Sequence, residues 1–128
     1  MNALSIDIKT LLEESSSGIS FPVYSFHLPT EPDRLIFIRA TGGFDSEVHN
    51  YRKPTFQIII RGHANDEEEI YAEAENIIEA LNYTGNFAVD TTRYIGIWMM
   101  GDLSGIMYEN KGKKRPMLTM NFRVHRSE

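Results

Sequence analysis

PTFQIIIRGHANDEEEIYAEAENIIEAL, residues 54–81, is the stretch on which the fold turns. In its first part Phe56, Ile58 and Ile60 alternate against Thr55, Gln57 and Arg61, with only Ile59 out of pattern, which is the period of a β-strand. The period then changes. Ile70, Ala74, Ile77, Ile78 and Leu81 fall at i, i+4, i+7, i+8 and i+11, the apolar stripe of an amphipathic helix of about four turns. Asn65 is the expected N-cap, with Glu68 three residues on. The acids crowd the first turn, where the helix dipole favours them, and Gly85 is the expected stop.

Upstream, Leu4, Ile8, Leu11 and Leu12 lie on one helical face, and Gly18 after the serine run 15–17 ends that helix. Phe21 to Leu28 and Arg34 to Ala40 are rich in aromatic and branched residues. The turn formers of 29–33 lie between them, so they are expected to form two antiparallel strands. Thr41 to Lys53, with paired glycines and no sustained period, reads as a long loop, a kind of segment that usually binds something or moves. Downstream, two long strands are expected over Arg93 to Met100 and Met117 to His125. In the last of these Leu118, Met120, Phe122 and Val124 share a face. The order α-β-β-β-α-β-β predicts an α+β fold, a mainly antiparallel sheet of about five strands with two helices packed on one face, in a single domain over 1–128.

A hydrophobic fraction of 41%, with seven Phe and six Tyr, suits a packed core and argues against disorder. The absence of Cys excludes disulfides and thiolate metal sites and fits a reducing cytoplasm. Asp7 interrupts the apolar residues of the N-terminus, which is not read as a secretory signal, and no stretch is long and apolar enough to span a bilayer. The net charge of −5 argues against a dedicated nucleic-acid binder, but its distribution is uneven. Seven acids and no base lie between Asp66 and Glu79, and six bases and no acid between Lys111 and Arg126.

Catalytic and metal-binding patterns find little support. His27, His49, His63 and His125 lack the spacing of a zinc site, and helix capping accounts for Asp66 and Glu67 near His63. There is no nucleophile elbow, and Gly42-Gly43 does not open a phosphate-binding helix. No cofactor and no enzymatic activity are expected. The basic stretch 111–115 suits either a solvated hairpin tip or a contact with an acidic protein surface or phosphates. Tyr94, Trp98 and Tyr108 are expected to pack in the core rather than to stack on bases.

Three segments carry a resemblance: Arg39-Ala40-Thr41-Gly42-Gly43, then YRKPTFQIIIRG over 51–62, then the acidic helix containing YAEAE over 71–75. With the terminal NFRV strand over 121–124 after a basic hairpin, the chain resembles the minor capsid or tail-completion proteins of tailed bacteriophages, of the tail-terminator type. The resemblance implies a ring, usually of six copies, that caps the tail tube, halts its polymerisation and offers a surface for head joining. Its partners would be itself, the tail tube protein and neck or connector proteins, with DNA only passing through the lumen and no membrane involved. The setting would be the virion, and the host cytoplasm during assembly.

A head-to-tail contact between an acidic helix and a basic hairpin closes into a ring when the rotation divides the circle. The expected interface residues are therefore Glu67, Glu68 and Glu69, the loop residues Phe44, Tyr51 and Arg52, and Lys111, Lys113, Lys114 and Arg115. On that interface, reversing Lys113, Lys114 and Arg115 to Glu should weaken assembly without unfolding the monomer. For Phe44 and Tyr51, burial against a partner and simple pinning of the loop to the sheet both remain open. Two other classes also remain open: a small nucleic-acid-binding module using the 111–115 hairpin, and a small enzyme or ligand-binding regulator with a pocket near His27, His49 or His63.

Overall fold

A computed structural model describes residues 1–46, 50–82, 84–109 and 112–128. The elements run α1 (Leu4–Glu14), β1 (Val23–Ser25), β2 (Leu35–Phe44), β3 (Tyr51–Arg61), α2 (Glu67–Leu81), β4 (Phe87–Val89), β5 (Thr92–Met100), β6 (Met107–Tyr108) and β7 (Pro116–Ser127). The strands form one mixed sheet of order β1-β2-β3-β7-β5-β4, with β6 paired to β7. The fold is α+β, as expected. Among the described residues, seven strands replace the expected five because β4 and β6 are too short, at three and two residues, to show a period in sequence.

The alternation in β3 and β7 builds the core. Ile60 pairs with Leu118, Ile58 with Met120 and Phe56 with Phe122, whose rings stack with centroids 5.1 Å apart. Ile36 and Ile38 of β2 and Ile97 and Val124 continue the same buried face. The helices lie over it. Leu4, Ile8 and Leu12 come from α1, and Ile70, Ala74, Ile77 and Leu81 from α2. At about 1.5–3 kcal/mol per buried aliphatic or aromatic side chain, this layer is the main source of stability. No described helix is long and apolar enough to cross a membrane.

Four expectations are corrected. The segments 21–28 and 34–40 are not an antiparallel pair: within 21–28 only Val23–Ser25 is strand, and it runs parallel to β2, Val23 opposite Ile36. After Ser25 the backbone of Phe26 turns to a φ of 68°, and the chain travels back to the start of β2 before entering it. The returning segment is held by Arg61. Its buried guanidinium donates to the carbonyls of Pro29, Thr30, Pro32 and Asp33 at 2.7–3.1 Å, replacing the sheet bonds a hairpin would have made.

The expected loop over 41–53 is mostly strand. β2 continues to Phe44 and β3 starts at Tyr51, with Gly43 opposite Pro54 and Phe44 opposite Lys53 beyond a bulge after Ala40. In this arm β2 runs as the outer strand, and every residue from Arg39 to Ser46 is exposed, whereas Tyr51 and Arg52 of β3 also pair with Ser127 and Arg126 of β7. A strand wet on both faces, as β2 is beyond Ile38, imposes no alternation, which explains why its sequence lacks the strand period. Gly43 is needed there. Its φ is 148°, and a Cβ would lie 2.4 Å from the Lys53 carbonyl oxygen.

The caps of α2 also shift. Asp66, not Asn65, is the N-cap, and its side chain makes no cap bond; Asn65 takes a φ of 72° in the preceding turn. The Asp66 carboxylate instead receives both Nε and NH2 of Arg34, at 2.7 and 3.0 Å, and the His63 amide at 2.8 Å. The helix ends at Leu81 with Asn82 as C-cap, ahead of the expected Gly85. Asn82 then ties the helix exit to β5, its Oδ1 accepting the Met99 amide at 2.8 Å.

Candidate functional site

The expected interface residues separate into two groups at opposite ends of β3. Lys53 and Arg61 lie eight steps apart on that strand, ~27 Å at the usual strand rise. The arm is at one end. At the other, residues 62–66 turn the chain into the acidic start of α2.

At the arm end, an open and mostly apolar cavity of about 920 Å³ lies between the start of α1 (Ala3, Leu4, Ser5) and the arm. Phe26, Phe37, Phe44 and Pro54 line it, together with four cations, Arg39, Arg52, Lys53 and Arg126. No carboxylate is among the described lining residues. Phe26 is 72% exposed and Phe44 57%, unusual for phenylalanines in a folded chain. Arg126 is committed inside the chain, donating to the Asn2 carbonyl and the Tyr94 hydroxyl. Among the described residues, Arg39 bonds the neutral side chain of Gln57 and pairs with no carboxylate. Among the described residues, no carboxylate is ion-paired with Arg52 or Lys53. Tyr51 behaves differently from Phe44: its hydroxyl bonds His125 Nδ1 at 2.7 Å, and the two rings meet edge to face, so Tyr51 is pinned to the sheet.

The far end is organised around Asp33. Its carboxylate meets His63 Nδ1 at 2.8 Å and accepts from Lys113 Nζ and an Arg115 guanidinium nitrogen, each at 3.0 Å. The hydrogen bond to His63, with those to Lys113 and Arg115, holds the Asp33 carboxyl well below the usual carboxylate range. Lys113 also bonds Glu31, while Arg115 bonds Glu109 and donates to the Thr30 carbonyl at 2.6 Å. Lys113 and Arg115 of the basic hairpin are thus neutralised from within the chain. Arg115 is only 5% exposed, Lys114 stays exposed, and Lys111 lies outside the described residues.

Beside this cluster, Glu68 and Glu69 are exposed on α2, and Glu67 accepts from the Tyr108 hydroxyl at 3.0 Å. That bond places β6, with Met107 62% and Tyr108 51% exposed, against the first turn of α2. Tyr71, one turn further along the helix, is 41% exposed. The far end therefore presents Glu68 and Glu69 beside Tyr71, Met107 and Tyr108, whereas the arm cavity presents Arg52 and Lys53 beside Phe26 and Phe44.

His27 and His63 are not among the cavity's described lining residues, and His49 lies outside the described residues. Among the described residues, no three acidic or imidazole groups gather as a metal site. Sequence reasoning missed two buried acids. Asp7 accepts from Tyr94, and Glu73 accepts from the amides of Ser20 and Phe21 and from the Ser20 hydroxyl. Asp7 had one visible signal, a charge on the apolar face of α1. Glu73 had none, being hidden among the other glutamates.

A mixed sheet covered by helices on one face, with exposed aromatic groups beside charged ones at its two ends, has the kind of surface that docks other subunits. Residues 9–127 match the family described as bacteriophage tail terminator protein, and the chain belongs to that family, placing it in the virion tail. No curated protein matches it significantly. Its fold is similar to a chain of a solved structure described as the virion of native gene transfer agent (GTA) particle. The TM-score is 0.74 and the identity 15%, over 98% of this chain and 96% of that one.

Proposed function

We propose that the protein is a single-domain subunit of a ring, of six copies, that caps the end of the tail tube and halts its polymerisation. The ring then supports head joining through neck or connector proteins, and DNA passes through its lumen. The role is structural, without catalysis or a cofactor. Membership of the tail terminator family supports the tail setting. The observation that carries the ring is the placement of unlike charge and exposed aromatics at opposite ends of β3. Two surfaces that far apart cannot meet within one chain, and a contact between unlike surfaces of successive copies is heterologous, so it closes into a ring or runs into a filament.

Native mass spectrometry across a concentration series, followed by negative-stain imaging, tests this reading. A six-copy species with a central hole is the expected result. Dimers, or open filaments alone, would refute the ring. The alternative, a nucleic-acid module built on the 111–115 hairpin, has less behind it, because Lys113 and Arg115 spend their charge on Glu31, Asp33 and Glu109.

A further inference from the structure

With Lys113 and Arg115 of the basic hairpin ion-paired inside the chain, a second basic surface is the better partner for the acidic start of α2. Among the described residues, the arm cavity gathers cations with no ion-paired carboxylate beside exposed aromatics, Arg52 and Lys53 flanking Phe44 and Phe26. On α2, Glu68, Tyr71 and Glu75 stand at i, i+3 and i+7 on one exposed face, with Met107 and Tyr108 alongside through the Tyr108 to Glu67 bond. One surface is a cavity lined by cations, the other an exposed helix face bearing acids, and each carries aromatic groups left exposed in the single chain.

We infer that the arm cavity of one copy receives the start of α2 from the next copy. Tyr71, Met107 and Tyr108 pack against Phe44 and Phe26, while Arg52 and Lys53 face Glu68 and Glu75. This rests on the ring proposed above and names its contact. A second copy fits better than nucleic acid, because phosphates would satisfy the cations but leave Phe26, Phe44 and Pro54 uncovered. At ~27 Å, the distance from Lys53 to the far end of β3 rules out a contact within one chain. The charges set register and approach, and burial of the aromatics supplies most of the affinity.

The test is sedimentation of four proteins over a concentration series: the unaltered chain, Arg52→Glu with Lys53→Glu, Glu68→Lys with Glu75→Lys, and all four changes together. All altered side chains are at least partly exposed, and circular dichroism checks that each variant is folded. Each pairwise reversal should raise the concentration needed for assembly by roughly tenfold or more. The fourfold variant, and an equimolar mixture of the two pairwise variants, should restore assembly, because each again sets unlike charges against each other.

If the unaltered chain assembles and the folded reversals assemble equally well, this contact is wrong and the ring stands. If the unaltered chain stays monomeric at every concentration, the ring reading and this contact fall together. If the arm reversal abolishes binding to duplex DNA and leaves assembly intact, the cavity is a nucleic-acid surface and the contact is overturned.

A second measurement is independent of charge. The chain has no cysteine, so Lys53→Cys combined with Glu68→Cys introduces the only thiols. A disulfide needs Cα atoms within about 7 Å, so any bond formed must join two copies. Mild oxidation should give a ladder of covalent oligomers. Monomer alone from a chain that assembles would reject the contact.

Discussion

Tyr94 and Asp7, 87 residues apart in the chain, meet in the interior, where the phenol of Tyr94 donates to the Asp7 carboxylate. Both are essentially buried, Tyr94 at 0% and Asp7 at 1% exposure. Asn2 Nδ2 reaches the other oxygen of Asp7 at 3.2 Å, and Arg126 donates to the Tyr94 hydroxyl at 3.3 Å. The network ties α1 to β5 and β7. Burial, reinforced by the bond to Asp7, pushes the Tyr94 hydroxyl up from its ordinary value. Tyr94→Phe leaves a buried carboxylate short of a donor and should cost about 1–3 kcal/mol in urea denaturation.

Glu73 pins the chain after α1 to α2. Its carboxylate accepts the amides of Ser20 and Phe21 at 3.1 and 3.3 Å and the Ser20 hydroxyl at 2.8 Å. Glu73→Ala should cost about 1–3 kcal/mol, because it strands those donors. Hydrogen exchange at the Phe21 amide should accelerate more than at amides of β7. Equal acceleration at both sites would contradict this anchoring role.

Asp33 makes stability depend on acid pH. Its folded pKa is depressed, so its contribution is complete above the unfolded value of about 3.9 and is lost as pH falls below that toward the folded value. Asp33→Asn should therefore lower the melting temperature at pH 7, and the gap to the unaltered chain should narrow below about pH 4. A gap that stays constant down to pH 2 would show that the carboxylate charge is not what holds Lys113, Arg115 and His63 together.

The burial of Arg115 changes what reversing the basic hairpin would report. Because Arg115 sits between Glu109 and Asp33, changing Lys113, Lys114 and Arg115 to Glu should destabilise the monomer itself. Thermal melts of that variant should show a clear drop, whereas Lys114→Glu alone should change stability by no more than about 0.5 kcal/mol.

Gly43 controls the arm. In Gly43→Ala the new methyl would meet the Lys53 carbonyl oxygen at 2.4 Å and Pro54 Cα at 2.6 Å, so the two strands must part there. Amide exchange at Phe44 and Lys53 should quicken while Ile58 stays protected, and assembly should weaken. Unchanged arm exchange would show that the ribbon absorbs the methyl without opening.

The core was legible in the sequence because burial on one face imposes a period of two in β3 and β7 and of 3.6 in the helices, and each period is local. Ile58, Met120 and Ile77 follow from counting alone, as does the order of the major elements. Phe44 and Arg52 could be singled out as a large apolar group and a base in a polar stretch, although the strand they lie in could not. Tertiary structure decided the rest: that β1 runs parallel to β2, that 41–44 and 51–53 belong to paired strands, and that Asp33 and Glu109 take up the charge of Lys113 and Arg115. Each of these depends on groups far apart in the chain, and a residue's charge or exposure says nothing of its partner until the fold brings the two together.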